Sequence, residues 1–410
     1  MRIYQVGGAV RDKLLHIECN DKDFVVFGAT EQEMLDNGYK KVGKSFPVFI
    51  HPKTKEEYAL ARKEIPIGST HTDFKFIFSP DISIEEDAIR RDFTCNAIYL
   101  DTKTNEIIDL HNGKEDIKNK ILRHVSEHFT EDPLRVLRMC RFSAQLDFDV
   151  AEETMQLCTQ MVKSGAMKNL SQERIWQELE RAMCYPKFYR FVLCAKQCGA
   201  LKEILPEIDE LWNIPERLDY HPEGNSGEHT ILALKSAQSI DSLVNFGILF
   251  HDVGKIKTDP NNWPSHHHHA EYGEEMIKKI SKRIKAPIKF SKFASFVIAN
   301  HMIYHYPLDK AKRDIVLLAI TLHKNQKDNY VTRFLEVLKS DMQGRKKDDF
   351  TAEIKEFSIF ESYLKNIIQK IEKTPLSSIP DFMKLIDEKK NNKINQIDII
   401  DKYIDIILAE

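Results

Sequence analysis

The chain has 410 residues, is 42% hydrophobic and 30% charged, and carries a net charge of −3. Its length suits two to four domains. Its composition excludes collagen-like, low-complexity and disordered classes, and its charge excludes a uniformly basic nucleic-acid surface while leaving room for a local basic groove. No run of about 18 apolar residues is present and the N-terminus lacks the apolar core of a signal peptide, so no membrane span is expected. The seven cysteines, with no CxxC pair, predict free thiols in a reducing compartment, and the cytoplasm is the expected location.

Residues 1 to about 125 read as a sheet with a few helices on it. "MRIYQVGG" is a short strand stopped by glycines, and "DFVVFG" is a β-branched and aromatic strand ended by Gly28. "ATEQEMLDNG" predicts a short helix closed at Asn37-Gly38, and "FPVFIHP" and "EEYALARKE" predict two further strands joined at "HPKTK". After about residue 126, "DPLRVLRMCRFSAQL", "SQERIWQELERAM" and "YRFVLCAKQCGAL" carry apolar residues at helical spacing. "NIPERLDYHPEGNSGEH", rich in Pro, Gly and Asn, is the expected linker. A second helical block from about 226 to 330 holds most of the histidines, and 331–410 is again helical.

Three constellations carry chemistry. In "GGAVRDKLLHIECNDKDFVV", strand alternation points Asp21 and Asp23 the same way. Two close carboxylates repel unless a cation lies between them, and magnesium suits hard oxygen ligands and substrate phosphates. Glu57 offers a third carboxylate. Gly7 and Gly8 let a backbone approach a phosphate closely, and Arg11 can clamp one.

In "EDPLRVLRMCRF", Asp132, Arg135, Arg138 and Arg141 recur every three residues and form a slanting ridge on a helix. Asp132 precedes Pro133 and so also suits a cap. No acid among residues 133–145 balances the arginines, which points to an anionic partner. An Asp–Arg pair can also read a nucleobase edge. "RRDFTCNAIY" adds Arg90, Arg91, Asp92 and Asn96 for phosphate and ribose.

These motifs, in this order and over nearly the whole chain, resemble those of the class II tRNA nucleotidyltransferases, closest to the bacterial CCA-adding branch with a C-terminal HD domain. The resemblance implies an α+β chain: a small polymerase-beta-like nucleotidyltransferase head (1–125), an all-helical neck and RNA-binding region (126–225), an HD domain (226–330) and a helical tail (331–410). It implies that Asp21 and Asp23 bind catalytic Mg2+. It further implies that Gly8, Arg11, Arg91, Arg138 and Arg141 contact nucleotide, and that Asp132 and Arg135 select CTP and then ATP. The tRNA supplies the 3′ hydroxyl, and pyrophosphate leaves. "LSQERIWQEL" resembles a scaffolding neck motif.

The third constellation is histidine-rich. Imidazole and carboxylate are transition-metal ligands. His229, "GILFHDVGK" with His251-Asp252, the run His266 to His269, His301 and Asp341 follow an order that resembles the HD phosphohydrolases. That resemblance implies His229, His251, Asp252 and Asp341 as ligands of a metal such as Ni2+ or Mn2+, and leaves open which of His266–His269 takes part. It also implies phosphatase, 2′-nucleotidase and 2′,3′-cyclic phosphodiesterase activity. A monomer or homodimer is expected. The alternatives are a poly(A) polymerase, a protein uridylyltransferase with uridylyl-removing activity, and an RNA-binding module without catalysis. The HD block argues against the first. The second lacks an evident regulatory domain after residue 345.

Overall fold

The structure is a computed structural model that describes residues 1–19, 22–42, 48–66, 74–375 and 396–409. It divides into two compact units: Met1–Ala182 with Arg190–Ile204, and Met183–Tyr189 with Leu205–Glu410. No described helix is long and apolar enough to cross a membrane.

The first unit opens on a mixed sheet. Its strands are β1 (Arg2–Val6), β2 (Asp23–Phe27), β3 (Lys40–Val42), β4 (Val48–Ile50) and β5 (Glu57–Leu60), then a separate hairpin of β6 (Arg62–Pro66) and β7 (Phe74–Phe78), then β8 (Ile98–Asp101) and β9 (Ile107–Asp109). The sheet order is β3-β4-β5-β2-β1-β8-β9. Only β2 and β5 pair in parallel; the other neighbours are antiparallel. The alternation of β2 separates two cores. Val25 and Phe27 pack with Tyr4, Val6 and Tyr99, while Val26 packs with Met34, Phe49 and Leu60.

Short helices close the sheet: α1 (Gly8–Leu14), α2 (Glu31–Asp36), α3 (Ile84–Ala88) and α4 (Gly113–Asn119). Helix α2 starts at a capping box in which Thr30 accepts from the Glu33 amide, and the "NG" expected to end it does so at Asn37 and Gly38. The helical part of this unit comprises α5 (Leu134–Leu146), α6 (Glu152–Lys163), α7 (Gln172–Ala182), α8 (Phe188–Cys198) and α9 (Ala200–Ile204). Helices α5 and α7 pack together, and Leu137 and Met139 on the one and Ile175 and Leu179 on the other are buried. None of the seven cysteines is in a disulfide among the described residues.

The second unit is helical: α10 (Pro206–Glu210), α11 (Ser226–Ala237), α12 (Ser242–Phe250), α13 (His269–Arg283), α14 (Ile288–Asn300), α15 (Leu308–Lys324), α16 (Tyr330–Gln343), α17 (Thr351–Lys373) and a last described helix, Gln396–Ala409. Every residue of α12 from Leu243 to Phe250 is buried, and this helix, apolar but for Asn245, forms the centre on which α11, α14 and α16 pack. The expected boundary at 330 assigns α16 to the tail, whereas α16 packs on α11 and α12. The expected linker 213–229 is also no loose connection. Its buried Glu216 accepts from Ser226 Oγ and from Lys255 Nζ, and Pro215 bridges to Asn225. Pro, Gly and Asn signalled irregular backbone, and buried polar contacts hold that backbone in place.

Candidate active sites

The first site is built at the N-terminal ends of β2 and β5. The register pairs Asp23 with Val6 on one side and with Glu57 on the other. Gly7 and Gly8 therefore emerge beside Asp23, and Glu57 stands next to it on the adjoining strand. Asp21 lies outside the described residues. Gly7 has φ +68°, a left-handed value that leads directly into α1, and there glycine avoids the Cβ penalty. A Cβ at Gly8 would come within 3.3 Å of Arg11 Nη2. Neighbouring carboxylates on adjacent strands are a donor set that fits a hard divalent cation.

Around this turn the basic residues form one connected network. Buried Arg11 donates from Nη1 to Asn96 Oδ1 (2.7 Å), and Asn96 Nδ2 donates to Asp92 Oδ1 (3.2 Å). Arg138 Nε and Nη2 both donate to Asp92 Oδ2, at 2.9 and 2.6 Å. Arg141 Nε donates to Glu178 Oε2 at 2.6 Å. The guanidinium carbons of Arg11, Arg138 and Arg141 lie 5.2, 5.3 and 4.1 Å from the centre of the Phe142 ring, so one aromatic ring faces three cations. Burial alone would raise the Asp92 carboxyl, but Arg138 outweighs it and holds it at about 2.

Arg91 is anchored separately. Its Nη2 donates to Asp87 Oδ2 at 2.9 Å and its Nε to Tyr99 Oη at 3.0 Å. Arg90 also pairs with Asp87. Burial opposes the Asp87 charge, yet the two arginines and Tyr99 hold its carboxyl well below the usual range.

Asp132 and Arg135 are also engaged. Asp132 Oδ1 accepts from the Leu134 amide (3.0 Å), which is the capping contact that Pro133 suggested, while Oδ2 accepts from Arg174 Nη2 (2.8 Å). Arg135 donates to the carbonyls of His128 and Arg90, both at 2.7 Å. The arginine ridge is thus not uncompensated, as the lack of acids within α5 suggested. Its counter-charges Asp92 and Glu178 come from distant segments.

Sequence reading missed Phe142, Arg174 and Glu178. Glu178 had a signal, since it lies three residues after Ile175 and four before Ala182 on the buried face of α7.

The second site lies in the helical unit. His251 and Asp252 follow α12. His251 Nδ1 donates to the Ile248 carbonyl at 2.7 Å. Its Nε2 is buried without a hydrogen bond, 3.2 Å from Asp252 and 3.8 Å from Asp341. His301 and His269 repeat the device, donating from Nδ1 to the carbonyls of Ile298 and His266, both at 2.9 Å. Their Nε2 atoms lie 3.5 and 3.8 Å from Asp252 Oδ1. His229 places Nε2 3.0 Å from Asp341 and Nδ1 2.9 Å from the Gly344 carbonyl.

The ligand atoms of His229, His251 and Asp252, and those of Asp252, His269 and His301, each cluster within 4.8 Å. Asp252 belongs to both groups. Of the histidine run, His269 joins this cluster, while His266 bonds to the Pro215 carbonyl and His268 is exposed. Gly254 permits the arrangement: a Cβ there would come within 1.8 Å of the His269 carbonyl oxygen.

Burial lowers His229, but its contacts with Asp341 and Glu223 outweigh this and raise it to about 10. Burial and the neighbouring His301 drive His269 down to about 4. Asp341 and Asp252 stay well below the carboxylate range against their burial. Buried carboxylates, ring nitrogens fixed by their opposite N–H and an orphaned His251 Nε2 fit a divalent transition metal. Glu216, His221 and Glu223, which sequence reading left in a linker, line the same cavity or its histidines.

Three family models match the chain. The poly A polymerase head domain matches residues 3–123, the probable RNA and SrmB-binding site of polymerase A matches 147–211, and the HD domain matches 227–347. Among solved structures, a CCA-adding enzyme of Bacillus stearothermophilus in complex with CTP aligns with TM-score 0.57 at 21% identity, covering 96% of this chain and 89% of that one. A tRNA nucleotidyltransferase complexed with primer tRNA and an ATP analogue aligns at 0.55 and 22%, covering 92% and 96%. Fold and sites together define a nucleotidyltransferase head joined to a helical domain of the HD class. Multifunctional CCA proteins of Vibrio vulnificus and Hahella chejuensis are 44% and 43% identical over 84% of this chain, covering 86% and 83% of their own lengths. The chain belongs to the multifunctional CCA protein family.

Proposed function

We propose that the chain adds C, C and A to the 3′ end of tRNA from CTP and ATP, releasing pyrophosphate, and that its HD unit hydrolyses phosphate esters at RNA 3′ ends. The observation that carries the first activity is the register of Asp23 against Val6 and Glu57, which sets carboxylates beside the Gly7-Gly8 turn. Asp21 and Asp23 would hold Mg2+, which supplies charge neutralisation and in-line orientation in such transfers. The turn and Gly8 orient the triphosphate. Arg11, Arg91, Arg138 and Arg141 supply its counter-charge, and their acidic partners keep the guanidinium groups in place beforehand. Asp132 and Arg135 read the base edge.

In the HD unit, His229, His251, Asp252 and Asp341 would hold a metal such as Ni2+ or Mn2+, with His269 and His301 beside Asp252. The metal supplies Lewis acidity toward a phosphoryl oxygen. Lys255 Nζ, 2.7 Å from Glu216 and 2.8 Å from Asp252, holds the Asp252 carboxylate in place. The free thiols suit a cytoplasmic setting. Incubating tRNA that lacks its terminus with CTP and ATP tests the main activity: one complete CCA is expected, and long A tails would overturn it. Asp23→Ala should abolish addition.

A further inference from the structure

The HD unit encloses a cavity of about 760 Å³, and the histidine–aspartate cluster lines only part of it. Arg217, Lys255 and Arg345 are the permanent cations on its wall. Arg217 pairs with Asp219 at 3.1 Å, and Lys255 pairs with Glu216 and Asp252. Arg345 makes no ion pair and no side-chain hydrogen bond among the described residues, and its Nε is buried without a partner. Glu353 lines the same cavity; its Oε1 is held by Lys347 Nζ at 2.5 Å, while its Oε2 is buried without a hydrogen bond. The Tyr304 hydroxyl is likewise buried without a hydrogen-bond partner. Tyr304, Arg345 and the ligand carboxylate Asp341 line the same cavity.

Buried donors without partners are costly to a fold unless something else satisfies them. An arginine and a tyrosine that line one polar cavity beside a metal-ligating cluster, each with an unpartnered donor, match the oxygens of a phosphate. At the rim, Tyr220 and Tyr306 are 57% and 59% exposed while lining the same cavity. Exposed aromatic rings at the mouth of a phosphate site suit stacking of a nucleobase.

We infer that Arg345 and Tyr304 bind the phosphate of a terminal nucleotide in the HD cavity, and that Tyr306 carries its base. Arg345 is then a substrate-binding residue for the phosphate, and Tyr306 is what favours nucleoside phosphates over other phosphate esters. This rests on the hydrolase reading of the unit, and the experiment separates the two. Calorimetry on the full chain, with and without Mn2+, measures binding of adenosine 2′-monophosphate and of inorganic phosphate. Arg345→Ala should weaken both by roughly 10- to 100-fold, with Arg345→Lys between it and the unaltered protein. Tyr306→Ala should weaken the nucleotide about tenfold and leave inorganic phosphate unchanged.

CCA addition and Mn2+ uptake by each variant report that both units remain folded. Unchanged binding in Arg345→Ala, or no binding of either probe by the unaltered protein, overturns the inference. If the Arg345 effect on binding holds but the Mn2+-loaded protein never hydrolyses the nucleotide, the hydrolase reading fails while the binding site stands.

Discussion

Arg138 and Asp92, 46 positions apart, meet in a two-pronged contact in which Nε and Nη2 donate to the same carboxylate oxygen at 2.9 and 2.6 Å. The pair joins helix α5 to the segment after α3, and Asn96 and Arg11 extend it to the Gly7-Gly8 turn. Asp92→Asn leaves the partly buried Arg138 with only Glu178, 4.0 Å away, as counter-charge and should destabilise the first unit by roughly 2 kcal/mol. Addition of both CMP and AMP should fall together, because the substitution loosens a shared frame and not a base contact. Thermal unfolding and single-nucleotide incorporation check this.

The same carboxyl gives a pH dependence with a definite sign. Its folded value of about 2 lies below the ordinary 3.8. The resulting stability is fully present above about pH 4 and is lost as pH falls toward 2, worth roughly 2 kcal/mol in total. The Asn variant should show a shallower loss of stability over that window. An identical acid slope in the two proteins would contradict the assignment.

Asp132 is fixed from two sides, by the Leu134 amide and by Arg174. Arg174→Ala should free its Oδ2 side, and because Asp132 is proposed to read the base edge, discrimination against UTP and GTP should drop about tenfold. Stability should change by less than about 1 kcal/mol, since the lost ion pair is partly exposed. Incorporation of each nucleotide into tRNA ending in the first or the second C of the terminus is the measurement; unchanged discrimination would show that Arg174 does not position Asp132.

The two sites have separate residues, so they should fail separately. Asp252→Ala should abolish hydrolysis of 2′,3′-cyclic nucleotide while nucleotide addition stays within about twofold. Asp23→Ala should do the reverse. Chelation should stop both reactions, since each donor set fits a divalent ion.

Gly254→Ala tests how the second site is assembled. The added methyl would lie 1.8 Å from the His269 carbonyl oxygen and 2.5 Å from the Gly273 amide nitrogen. Relieving that overlap must move the turn after Asp252 away from α13, at a cost of about 3 kcal/mol. Hydrolysis should fall more than tenfold, with reduced Mn2+ affinity by calorimetry and little change in CCA addition.

The sequence by itself determined the sheet-then-helix order, the strand that carries Asp23, the glycine turn, and the doublet His251-Asp252. These are local features: a period of two or 3.6 residues, a cap, or a motif a few residues long suffices to read them. It could not supply the partners of the arginines. Asp92 and Glu178 lie 46 and 37 positions from the arginines they hold, and only the packing of α5 on α7 and on the head brings the charges into contact. Phe142 looked like one more apolar residue until three guanidinium groups converged on its ring.

Nor could four consecutive histidines be told apart along the chain. His268 adopts φ +63° at the start of α13, and the close approach at Gly254 presents His269 to Asp252. A Pro- and Gly-rich composition marked 213–229 as irregular, but composition carries no information about whether an irregular segment is loose. Buried Glu216 decided that, because a carboxylate removed from water must find Ser226 and Lys255, and those partners exist only in the folded unit.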